Sequence, residues 1–516
     1  MRFPKTASLI LFLLVLAKFI VQYLVVHPAY DLHRDEYLHL DQANHLAWGY
    51  ASVPPVTSLV SLIIQKLGNT EFWVKFFPAL FGALTIVVVW KTAARLGGKL
   101  FATSAAGVAV LLSSLLRINM LYQPNSLEIL CWTSLFYFLI RYIREEQARW
   151  LYWAGFIFAI GFLNKYNIVF PAAGLLPALL LTPQRKIFRN KHFYGAAALA
   201  LILVLPNLFW QWENNFPVFR HLEELSRTQL QLVKRSDFLL DQLFFFVGSA
   251  FVLLAAWIAL VIYSPFRPFR FLLLSLLFTL GIFLFLKAKS YYAIGLYPIF
   301  LAFGAVYIER IFDQGWKKWI RALAYLFPLL LFIPMLELAF PLVPAGQLAE
   351  KAIRDKQGWH RWEDGKTYPL SQDFADMLGW KELARKTEGL FQTIPSSANT
   401  LLLCDNYGEA GAINYYSRNK NMRAHSFSAD YMTWLKEELE KNKKEYSDVI
   451  LVQEAKNNNI EMLRPHFENI IVADSITTEW AREQGTRIIW LQNARVNIRD
   501  YLKKRIAEHS DGSESN

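Results

Sequence analysis

The chain has little of what staples small domains together. Its 516 residues include two cysteines. Cys131 lies inside an apolar run and Cys404 in a more polar region, so neither a disulfide framework nor a CxxC metal motif is available. Charge is scarce as well, at 19% of residues, too little for an ordinary soluble protein. The net charge of +12 does not gather into a basic patch interleaved with stacking aromatics, so no nucleic-acid partner is expected. No glycine-rich nucleotide loop, internal repeat or low-complexity linker is visible. The first apolar run follows Arg2 and Lys5 but ends without a small-x-small cleavage site, so it reads as a retained anchor.

Apolar sequence is what the chain has in quantity, with 54% hydrophobic and 16% aromatic residues. Crossing a hydrocarbon core takes about 20 residues at helical rise. Spans are expected near 8–26, 74–94, 100–117, 124–140, 151–163, 166–182, 193–210, 238–263, 271–286, 291–308 and 322–343, about eleven in all. Alternate connections are short and basic: Arg95 and Lys99; Arg141, Arg144 and Arg149; Arg185 to Lys191; Arg267 and Arg270; Arg310 to Arg321. That alternation places the N-terminus and the basic loops in the cytoplasm. The excess positive charge is mostly theirs.

With an odd number of spans, the region after residue 344 lies outside. Its composition becomes that of a soluble domain. "NTLLLCD", "SDVILVQ", "NIIVAD" and "TRIIWLQ" read as short buried strands, and Asp430 to Lys444 as a helix. The expected division is a membrane domain over 1–344, with a first outside loop at about 27–72, an extracytoplasmic α/β domain over 345–505, and a disordered polar tail over 506–516.

Ionisable residues collect on the outside face. The first loop carries His33, Arg34, Asp35, Glu36, His39 and Asp41. Glu128 opens the fourth span, Lys165 sits in the turn between the fifth and sixth, and Lys287 and Lys289 end the ninth. Arg220, Arg227, Lys234 and Arg235 follow the seventh. Charges at the edge of a bilayer are costly and usually functional.

These residues carry a resemblance. "HRDEYLHLDQANHLAWGYASVPPVTSLV", with a DE pair followed by Gly-Tyr and a double proline, is similar to the first-loop signature of bacterial membrane glycosyltransferases. The family is related to protein O-mannosyltransferases and the lipid A aminoarabinose transferase. "RLGGKLFA", "YQPNSLEILCW", "GFLNKYNIVF", "LPNLFWQW", "KAKSYYAIGLYPIFLAFGA" and "FADMLGWKEL" with "NYGEAGAI" follow in family order. The resemblance implies a polytopic α-helical membrane protein of the GT-C fold in the bacterial cytoplasmic (inner) membrane. It also implies a polyprenyl-phosphate sugar donor and a glycan, lipid A or protein acceptor, with membrane lipids around the spans. "ASVPP" departs from the DHPP-like stretch of aminoarabinose transferases, which argues against their substrate.

On that reading Asp35 is the general base, taking the acceptor proton. Lys165 and Lys289 stabilise the leaving phosphate. Arg34, His39, Tyr291 and Tyr292 line the donor or acceptor site. Glu36 shares catalysis with Asp35 or supports the loop. Glu128 is either catalytic or the capping-box partner of Asn125. Asp35, Glu36 and Glu128 are candidate oxygen ligands for a divalent cation. The lysines have an ordinary alternative as snorkelling span ends, and the tyrosines as interfacial belt residues. Pro54-Pro55 stiffens the loop exit. Two other functions stay open: a multi-span lipid or sugar transporter or flippase, and a non-catalytic assembly scaffold.

Overall fold

The computed structural model describes residues 4–228, 230–356, 358–395, 397–419, 421–442, 444–457 and 460–510. The chain divides into two compact units. One holds residues up to Val26 with Ala47–Val60 and Leu67–Leu342; the other holds His27–Leu46, Ser61–Lys66 and the chain from Val343 onward.

The first unit is helical and apolar. Among the described residues, six helices are long and apolar enough to cross a membrane: Lys5–Leu24, Glu71–Arg95, Asn125–Glu145, Lys191–Glu213, Ser264–Phe285 and Gly315–Ala339. Three bent pairs raise the number to as many as nine: Tyr166–Leu180 with Pro183–Arg189, Arg235–Phe244 with Val247–Ile262, and Ser290–Leu296 with Pro298–Ile311. The other two expected spans fall on helices of 12 and 16 residues, Leu100–Leu111 and Arg149–Asn164. At 1.5 Å per residue these reach only about 18 and 24 Å. The chain is a multi-pass membrane protein.

Small residues let these helices approach closely, as packing in lipid requires. A Cβ on Gly304 would stand 1.9 Å from the Val252 carbonyl oxygen, and one on Gly155 2.4 Å from that of Ala196. Buried Glu309 accepts the backbone N–H groups of Lys99 at 2.7 Å and Ala102 at 3.1 Å. It thereby satisfies the N-terminus of Leu100–Leu111.

The second unit contains a mixed sheet. Strands β1 (His360–Arg361) and β2 (Thr367–Tyr368) form a separate small hairpin. The main sheet uses β3 (Thr400–Cys404), β4 (Ala424–Ser426), β5 (Asp448–Gln453), β6 (Phe467–Ser475) and β7 (Arg487–Ala494), in the order β4-β3-β5-β7-β6. β3 runs parallel to β4 and β5, and β7 antiparallel to β5 and β6. All four strands expected from the sequence are present, but β6, expected to be buried, is the edge strand of the sheet and is largely exposed. β4 was too short, and too polar at His425, to stand out.

Two boundaries differ from the sequence reading. The chain is helical through Ser510, where a disordered tail was expected from 506, because Leu502 and Ile506 are buried in the core beside the sheet; residues 511–516 lie outside those described. The first loop also does not belong wholly to the membrane domain. Residues 27–46 fold with the C-terminal region, for an identifiable reason. The helix Trp380–Thr393 starts after Gly379 with no side-chain cap of its own. The Asp31 carboxylate accepts the Trp380 and Lys381 N–H groups at 2.9 and 3.2 Å, satisfying donors the helix leaves open. Asp31 and Arg34 N–H groups bond to the Met377 and Asp376 carbonyls. Fully buried Tyr37 packs against Trp380, Tyr415 and Tyr416.

Candidate active site

The opening cluster of charges folds into a helix, Arg34–Asp41. His33 caps it: its imidazole Nδ1 accepts the Asp35 N–H at 3.2 Å, and Glu36 Oε2 accepts the His33 N–H at 2.6 Å. Glu36 is almost fully buried and engaged in this capping box, an arrangement that supports the loop.

Asp35 is placed differently. Its Oδ1 accepts the Tyr407 hydroxyl at 2.7 Å, its Oδ2 stands 3.8 Å from His33 Nδ1, and its side chain keeps 35% exposure. Burial pushes the carboxyl up, but His33, Arg34 and the Tyr407 hydroxyl outweigh it and hold the group below its ordinary value. The first turn of a helix also favours a carboxylate. Arg34 lies over the Tyr407 ring, 4.7 Å from its centroid. His39 is buried on the same helix, and desolvation lowers its imidazole against the opposing pull of Asp35. Asp41 anchors the helix end, accepting from Tyr431 at 2.6 Å and Asn414 at 2.8 Å.

The block "NYGEAGAI" supplies Tyr407, and its glycines do more than turn the chain. A Cβ on Gly411 would lie 2.7 Å from the Tyr37 Cβ, and one on Gly408 3.2 Å from the Arg34 Cβ. They let Tyr407–Tyr416 lie against the loop helix. Asn406 and Glu409 form a capping box at its start, a sequence signature that could have marked this helix and the tyrosine beside its cap.

In the membrane unit a second constellation forms around Lys165, which ends the helix Arg149–Asn164. Its ammonium donates to Asn125 Oδ1 at 2.7 Å and Glu128 Oε2 at 3.0 Å. It lies 4.6 Å from the Tyr292 ring centroid and 5.6 Å from that of Tyr291. Asn125, Glu128, Trp132, Tyr291 and Tyr292 line one small cleft. The capping box considered for Asn125 and Glu128 does not form; Pro124 precedes the helix without a side-chain cap, and both side chains turn to Lys165. Lys289 is half-buried and immediately precedes the turn Ser290–Leu296 that carries both tyrosines. Among the later candidates, Arg227 pairs with Glu223 at the surface and Arg235 donates to the Leu284 carbonyl.

Among the described residues no three His, Cys, Asp or Glu side chains converge as a metal site. Glu36 caps a helix and Glu128 pairs with the Lys165 ammonium.

Residues 52–210 match the family described as dolichyl-phosphate-mannose-protein mannosyltransferase. Two proteins of Rhizobium johnstonii are similar in sequence. Lipid A galacturonosyltransferase RgtD is 25% identical over 203 residues, 38% of this chain and 42% of the relative. Lipopolysaccharide core galacturonosyltransferase RgtB is 27% identical over 227 residues, 42% of this chain and 45% of the relative. The chain thus matches under half the length of each. In three dimensions it is similar to ArnT from Cupriavidus metallidurans bound to undecaprenyl phosphate, with TM-score 0.60, 14% identity, and 95% and 98% of the two chains covered. The oligosaccharyltransferase AglB from Archaeoglobus fulgidus gives TM-score 0.50 at 12% identity, covering 87% and 69%. The fold is the GT-C fold of ArnT, and the family model and both sequence relatives agree with the resemblance to membrane glycosyltransferases.

Proposed function

We propose that the protein is a membrane glycosyltransferase that moves a sugar from a polyprenyl-phosphate donor to an acceptor at the extracytoplasmic face of a bacterial inner membrane. The acceptor O–H bond breaks, its oxygen forms a new bond to the anomeric carbon, and the sugar–phosphate C–O bond breaks with its electrons going to phosphate. Asp35 takes the acceptor proton. Lys165 and Lys289 offset the charge gathering on the phosphate, with Tyr291 and Tyr292 beside them. Glu128 holds the Lys165 ammonium in place. The observation that carries the reading is Asp35 itself: a carboxylate kept ionised at the first turn of the loop helix, yet one-third exposed. The galacturonosyltransferase relatives favour an acidic sugar and a lipid A or lipopolysaccharide acceptor.

The test uses purified protein in nanodiscs with polyprenyl-phosphate-linked galacturonic acid and lipid A. The expected result is sugar on the acceptor and free polyprenyl phosphate. A transporter reading has one observation behind it: Lys18 is buried within the first apolar helix, with its ammonium on Gln22 Oε1 at 2.5 Å. Donor crossing a vesicle bilayer without bond cleavage would favour that reading. Reporter fusions after Arg189 or Lys318 should read cytoplasmic, and one at the C-terminus external.

A further inference from the structure

We infer that Tyr407, in the C-terminal sequence block, is a positioning residue that orients the Asp35 carboxylate and keeps it in its proton-accepting form; this rests on the base role proposed above for Asp35. Three observations carry it. The phenol hydroxyl donates to Asp35 Oδ1 at 2.7 Å, a charge-assisted contact between residues 372 positions apart. The tyrosine ring is itself fixed, lying under the Arg34 guanidinium at 4.7 Å. The backbone is then shaped for the contact, because Gly408 and Gly411 occupy places where any Cβ would press on Arg34 and Tyr37.

The consequence is chemical. A base is useful when one oxygen is held and the group stays ionised while presented to the acceptor. Tyr407 holds one oxygen, and the side chain retains its 35% exposure. His33, Arg34 and His39 face Asp35 from its own segment and Tyr407 from the C-terminal helix. Asp376 stands 3.8 Å from His33 Nε2, and together with Glu483 it acts on Arg34. Of these, the phenol is the group whose hydrogen bond to the carboxylate can be deleted without changing net charge.

Tyr407→Phe keeps the ring under Arg34 and removes only the donor. Without it the carboxylate is less favoured, so the acid limb of the pH–rate profile should move to higher pH; with that oxygen no longer held in place, transfer at neutral pH should also fall about tenfold. Tyr416→Phe, on the same helix, removes a hydroxyl that meets Tyr37 at 3.2 Å and should leave the acid limb in place. A second measurement needs no activity. With 3-fluorotyrosine placed at position 407, the fluorine resonance should titrate with Asp35 and lose that titration in Asp35→Asn. An unchanged acid limb in a folded Tyr407→Phe, or a fluorine signal indifferent to Asp35→Asn, overturns the inference. The base reading fails separately: Asp35→Asn that still transfers sugar at wild-type rate sinks it even where the fluorine titration is intact.

Discussion

In the membrane unit the Lys165 ammonium is held by one carboxylate, one amide and two aromatic rings. In the other unit Asp35 belongs to a web: His33 and Tyr407 reach its carboxylate, and Arg34, Asp376 and Arg482 extend the set, with Arg482 Nη1 3.2 Å from Asp376. The two arrangements respond differently to loss. A pair between apolar helices has little water and few other charges to redistribute into, so removing one partner strands the other. A web re-partners. Loss of a charge at the membrane site should therefore cost more stability than loss of one at the loop helix.

The largest effect tests the second half of that contrast. Asp35→Asn should lower transfer on the order of a thousandfold, the range of a lost general base, while membrane insertion and thermal stability stay near wild type. Transfer close to wild-type rate in single turnover would remove the base assignment. Next comes the membrane pair. Lys165→Met should strand Glu128 and destabilise the protein by about 3 kcal/mol, read as detergent-solubilised thermal unfolding. Adding Glu128→Gln should restore most of the stability but not the transfer rate. If the single and double variants were equally unstable, the pair would not be the site's main constraint.

Lys289 sharpens the comparison further. Lys289→Met keeps the apolar stem and should cut transfer about tenfold, equal to roughly 1.4 kcal/mol of transition-state stabilisation. Arg at that position should recover part of the rate, since charge returns with altered geometry. The smallest effect is a pH dependence confined to the second unit. Burial opposes ionisation of Glu382, but Lys386, Thr478 and Thr477 bond to it and bring it from 4.5 to about 2. A depressed folded-state value means that its contribution is complete above pH 4.5 and lost as pH falls toward 2. Glu382→Gln should flatten that part of the acid unfolding curve and leave neutral-pH transfer unchanged.

The two units also differ in how far sequence reached into them. Apolar run length fixed where the membrane helices lie, because lipid demands that each span satisfy its own backbone. The four longer strands were visible as short β-branched runs. Asp35, Glu36, Glu128 and Lys165 stood out as charges beside greasy segments, yet their partners did not. Nothing local in "PNSLE" distinguishes a capping box from a lysine ligand; that was settled by Lys165 arriving from a helix 37 residues further on. Nor does "HRDEYLH" announce that Glu36 is taken by the His33 backbone while the Asp35 carboxylate meets Tyr407.

By itself the sequence determined a chain of apolar helices, a soluble α/β region after them, and a loop too rich in charge to be incidental. Those follow from composition and periodicity, which act over a few turns of chain. Only the tertiary structure decided that residues 27–46 fold with the C-terminal region, through the Asp31 carboxylate on an uncapped helix and Tyr37 sealed against Trp380. It alone brought Tyr407 to Asp35. Contacts between residues hundreds of positions apart depend on which faces meet in three dimensions, and no local pattern encodes that.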